Sequence, residues 1–84
     1  MKAYLKVYGI REGQFSNENV VRCTTFTGSE ISGFFDKRFI CPLGLEVKVL
    51  DNQGEATCIV PQGGNFLEEN NPIWVNSSGI TYEN

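Results

Sequence analysis

The chain has 84 residues, 40% hydrophobic and 12% aromatic, with ten acids, seven bases, no histidine and a net charge of −3. This size holds one domain and one core, and this apolar content is enough to offset the entropy of folding, which excludes a disordered chain. The interspersed, mildly acidic charge is a poor basis for nucleic-acid binding, which relies on counterion release by Lys and Arg.

Lys2 to Ile10 alternates, with Leu5 and Val7 on one face and Lys2, Tyr4, Lys6 and Tyr8 on the other, the pattern of a half-buried strand. Arg11 to Asn19 reads as an excursion loop anchored by Phe15, with room for one helical turn at Ser16–Asn19. Val20 to Thr27 is rich in β-branched residues, and Gly28-Ser29 turns it back into Glu30–Phe35, a predicted hairpin. Its face assignment stays open, because Phe26, Phe34 and Phe35 cannot all point the same way. Asp36 to Leu43 is a connector broken at Pro42 and Gly44.

Leu45 to Leu50 alternates most cleanly, with Leu45, Val47 and Val49 set against Glu46 and Lys48. Asp51-Asn52-Gln53-Gly54 is a turn, and Glu55 to Val60 runs back as the second hairpin. Pro61 to Pro72 reads as a long loop anchored by Phe66 and Leu67. Ile73–Asn76, a turn to Gly79 and Ile80–Tyr82 complete the chain.

The sum is a single small β domain over residues 1–84, all-β and without a long helix. Five to seven short strands are too few to cover two sheets, so the expected architecture is a small antiparallel barrel or strongly bent sheet, SH3-like or OB-like in pattern only. Leu5, Val7, Val47, Val49, Ile73 and Val75 are the expected interior.

Catalytic chemistry finds little support. Without histidine the chain lacks the commonest general base and the usual partner of a Ser or Cys nucleophile. Cys23, Cys41 and Cys58 contain no CxxC pair, so they make no zinc site and read as reduced, mostly buried thiols. Glu68-Glu69 reads as a solvated charge patch. Gln62-Gly63-Gly64-Asn65 lacks the lysine and following helix of a phosphate loop, and reads as a flexible turn. No cofactor or metal is expected. Lys2 and Lys6 interrupt the apolar stretch that a signal peptide needs, and no apolar run is long enough to span a bilayer. The expected location is the cytoplasm.

Three features are candidates for binding. Tyr4 and Tyr8 share a face with Lys2 and Lys6, a surface suited to stacking bases or gripping a peptide unless the rings merely cover the fold. Trp74 falls outward if Ile73 and Val75 point inward, unless it packs against Phe66 or Leu67. Asp36-Lys37-Arg38-Phe39 pairs two adjacent cations with an aromatic, where a solvated connector is the plainer reading. If the first strand pairs near Ile73–Asn76, then Tyr4, Tyr8 and Trp74 form one patch. The leading function is a protein-interaction domain or small assembly subunit, its partner another protein or a second copy of itself. A barrel binding single-stranded nucleic acid is the runner-up, and a small enzyme with carboxylate chemistry comes third.

Overall fold

A computed structural model describes residues 1–84. Ten strands run β1 (Lys2–Leu5), β2 (Tyr8–Glu12), β3 (Glu18–Thr24), β4 (Glu30–Asp36), β5 (Ile40–Cys41), β6 (Gly44–Gln53), β7 (Ala56–Pro61), β8 (Gly64–Phe66), β9 (Ile73–Asn76) and β10 (Ile80–Glu83). Three-residue 3₁₀ turns at Lys37–Phe39 and Ser77–Gly79 are the only helical pieces. No helix is long and apolar enough to cross a membrane.

The strands form two antiparallel sheets. One has the order β10-β1-β6-β7-β9, with β5 pairing to β6, and the other has the order β2-β3-β4-β8. Neither closes into a barrel, which corrects the expected architecture. The expected strand number was too low because β5 and β8, two and three residues long, are too short to show a period, and because Lys2–Ile10 is two strands rather than one. Counted with them, the chain has enough strands for two layers.

A single core joins the layers. Ala3, Leu5, Leu45, Val47, Ile59, Ile73 and Val75 from the first sheet face Val21, Cys23, Ile31, Phe35 and Phe66 from the second. Four of the six expected interior residues belong to this core, while Val7 and Val49 are partly buried against it. Phe66 anchors the Pro61–Pro72 segment as expected, but Leu67 is exposed, and so is Phe15, at 63%. No helical turn forms at Ser16–Asn19; a simple turn closed by the Glu18 N–H on the Phe15 carbonyl (3.2 Å) takes its place.

The largest correction falls on Lys2–Ile10. The stretch alternates throughout, yet the chain leaves the first sheet after Leu5 and enters the second at Tyr8. At the crossing, the Lys6 N–H donates to the Gly79 carbonyl at 2.8 Å. The first strand pairs with β10, from Lys2↔Glu83 to Leu5↔Ile80, and not near Ile73–Asn76 as expected.

Both predicted hairpins form. β3 and β4 pair from Glu18↔Asp36 to Thr24↔Glu30. The β6–β7 hairpin pairs Gln53 with Ala56, so its turn is only Gly54-Glu55. Gly54 has φ +69 and no other residue type has a positive φ, the pattern of a type II′ turn with glycine first.

Candidate binding cleft

The most developed hollow, about 500 Å³, lies where three turns converge on edge strand β9. Its volume falls within the range of ordinary ligand pockets. Phe26 and Trp74 supply its large rings, Glu55 and Glu69 its carboxylates, with Gln53 and Thr27 beside them. Phe26 is 43% exposed and Trp74 37% exposed.

Each wall is tied down by local chemistry. In the β3–β4 turn, the Thr25 N–H donates to the Ser29 carbonyl (2.8 Å) and the Gly28 N–H to the Thr25 carbonyl (2.9 Å). Thr25 Oγ1 accepts from the Ser29 N–H at 3.1 Å. This turn projects Phe26 across β9, where the Phe26 N–H donates to the Trp74 carbonyl at 2.8 Å. Glu55 is held through its backbone: its carbonyl accepts from the Ser77 N–H (2.8 Å), and Ser77 Oγ donates to the Gly54 carbonyl (2.7 Å). The buried Thr57 hydroxyl closes this network at 2.7 Å from Ser77 Oγ. Walls ordered before a ligand arrives reduce the entropy lost on binding.

The third wall is fixed by Glu68, expected as a solvated charge. Its carboxylate accepts from the Ser32 N–H (2.8 Å) and the Ser32 hydroxyl (3.0 Å), while the Leu67 N–H donates to the Ser32 carbonyl (2.8 Å). The side chain continues the β4–β8 ladder where β8 stops, and it places Glu69 at the cleft. The backbone hydrogen bond from Ser32 holds the Glu68 carboxyl below its ordinary value of 4.5, outweighing partial desolvation. A depressed folded pKa means that the stabilisation is complete above the unfolded value and is lost as pH falls through the folded one. Thermal melts from about pH 7 to about pH 3 should therefore show a steeper acid loss in the wild type than in Glu68→Gln. Parallel curves below the ordinary carboxylate value would contradict this role for Glu68.

The residues singled out in the sequence do not assemble as expected. Tyr4 lies in β1 and Tyr8 in β2, on different sheets, and β6 and β7 separate β1 from β9. Tyr4 is buried, its phenol raised above its ordinary value by desolvation and then by the Glu83 carboxylate. Tyr8 is exposed, but its hydroxyl donates to Glu30 Oε2 (2.9 Å) and lies 3.0 Å from Thr24 Oγ1. The Arg22 guanidinium carbon lies 5.6 Å from the centre of the Tyr8 ring, and Arg22 pairs with Glu30 at 3.4 Å. Lys6 and Tyr8 both line a smaller hollow of about 310 Å³ near the crossing between the sheets.

The other cations singled out in the sequence are engaged: Lys2 with Glu46 (3.9 Å), Lys37 with Glu12 (3.4 Å) and Arg38 with Asp36 (3.3 Å). Arg38 also lies 5.3 Å from the centre of the Phe39 ring. All three cysteines are free, with Cys23 and Cys58 buried and Cys41 partly so. Burial, with the nearby Glu69 and Glu68 carboxylates, pushes the Cys23 thiol up to about 12, so it carries no thiolate at neutral pH.

Trp74 falls outward as alternation requires. Phe26, Glu55 and Glu69 were not anticipated. The one available signal was Phe26 itself, a large ring beside the Gly28-Ser29 turn, where strand neighbours cannot cover it. No family model, curated protein or solved structure matches the chain. The chemistry of the cleft is carried by its own residues.

Proposed function

We propose that the chain is a non-catalytic protein-interaction module that holds a segment of a partner protein in the cleft between the Thr25–Ser29 turn and β9. The observation that carries this reading is the convergence of the Phe26 and Trp74 rings, both partly exposed, in one preformed hollow. Aromatic anchors within a polar surround supply most of the affinity of protein interfaces. The charge distribution supports a protein ligand over a nucleic acid, because four of the seven cations are already paired with carboxylates. The absence of histidine supports a binding role over a catalytic one. A reducing compartment such as the cytoplasm belongs to the same proposal, supported by three unpaired thiols.

Short peptides selected by display on the immobilised full chain test this reading. Trp74→Ala should weaken their binding by about 1–3 kcal/mol. Trp74 is nearly two-thirds covered, so its loss should cost the fold about 1–2 kcal/mol, below the roughly 3–5 kcal/mol of a fully buried aromatic. Each kcal/mol corresponds to roughly 4–8 °C in melting temperature for a domain of this size. Peptides that bind wild type and Trp74→Ala equally would exclude the cleft. A collapse in melting temperature would make Trp74 a core residue instead.

A further inference from the structure

We infer that the cleft selects a basic side chain, arginine ahead of lysine, on the partner segment. This rests on the proposed binding role and names the chemistry that the site would read. Glu55 and Glu69 both line the cleft, neither is in an ion pair, and no basic residue lines it. Glu12, Glu30, Asp36 and Glu46, on other parts of the surface, each have a cation of this chain within 4 Å; the cleft acids have none. Two unpaired carboxylates beside two open rings leave a place for positive charge. A ring face attracts a cation through its quadrupole, and guanidinium stacks on rings and bonds carboxylates through its planar fork, as ammonium cannot.

The shape favours a peptide over a free small amine. Phe26 and Glu55 also line a second hollow of about 480 Å³ that reaches Ser77 and Ser78. The two hollows share these residues and together follow β9. β9 is an edge strand, and its outer side carries one backbone hydrogen bond, from Phe26. The groove is therefore long enough for several residues, with the acid-and-ring pocket as one subsite along it.

Trp74 is the only tryptophan and reports on the subsite directly. Capped Gly-Arg-Gly, Gly-Lys-Gly, Gly-Leu-Gly and Gly-Glu-Gly would be titrated into the full chain while its emission is followed. The arginine and lysine peptides should change the emission saturably, arginine the more tightly. The leucine peptide should bind about tenfold more weakly, and the glutamate peptide weaker still. Glu55→Gln and Glu69→Gln alter exposed side chains that make no hydrogen bond, so the fold should persist; each should weaken the arginine peptide about threefold and flatten its salt dependence. Leucine binding as tight as arginine, or equal binding to the two carboxamide variants, overturns the charge selection and leaves the binding role standing. If no peptide alters Trp74 emission, both readings fall.

Discussion

Replacing Phe35 with alanine should cost the fold about 3–5 kcal/mol, against a total stability of about 4–12 kcal/mol for a domain of this length. Phe35 is 0% exposed, and its ring meets Phe66 edge to face with centroids 4.9 Å apart and planes at 62°. What surrounds it decides the size of the loss. A Cβ added at Gly33 or Gly64 would come within 2.9 Å of the Phe35 ring, so the backbones of β4 and β8 press directly on it. Paired backbone cannot move into the space that a lost ring would leave, so the cavity stays open and its full cost is felt. The neighbouring Phe34 faces outward and is 38% exposed, so Phe34→Ala should cost about 1 kcal/mol or less. Urea unfolding of the two variants would measure this contrast. A Phe35→Ala variant within about 1 kcal/mol of wild type would mean that the sheets can close over the gap.

The same two strands show where sequence reading stops. β6 was legible from the alternation of Leu45, Val47 and Val49, β3 from its β-branched residues, and β4 and β7 from the turns that send the chain back. β8 is Gly64-Asn65-Phe66, whose two leading residues carry no hydrophobic period, and only Phe66 reaches the core. Its pairing depends on Gly33 and Gly64 allowing close approach, a property of two strands together. Lys2–Ile10 failed in the opposite way. The alternation of residue types does not say which strand accepts the backbone hydrogen bonds, so the change of sheet between Leu5 and Tyr8 left no mark on the sequence. The burial of Tyr4 and the exposure of all of β2 depart from the alternating faces. The cleft draws on residues 25–27, 53–56 and 69–74, three segments without a shared period. Of its aromatic and acidic groups, only Trp74 sits on a strand whose inward neighbours revealed its direction.

Gly44→Ala should be the most damaging glycine substitution, at about 3 kcal/mol or more, from two costs that add. Gly44 has φ +130, a conformation that L-residues rarely adopt. An added Cβ there would also collide with the backbone carbonyl of Leu5, in the strand paired with β6. The obstacle is main chain at a point where β1, β5 and β6 come together, with Leu45 paired to both Leu5 and Ile40. A rotamer change cannot relieve such a clash, and moving β1 would disturb Ala3 and Leu5 in the core. Gly54 separates the two costs. It too has positive φ, at +69, but an added Cβ meets nothing within 4 Å, so Gly54→Ala should lose only the conformational cost, about 1–2 kcal/mol. Denaturant midpoints of the two variants would expose the difference. Equal losses would show that backbone conformation alone requires glycine at both positions, and that β1 yields at Leu5 without cost.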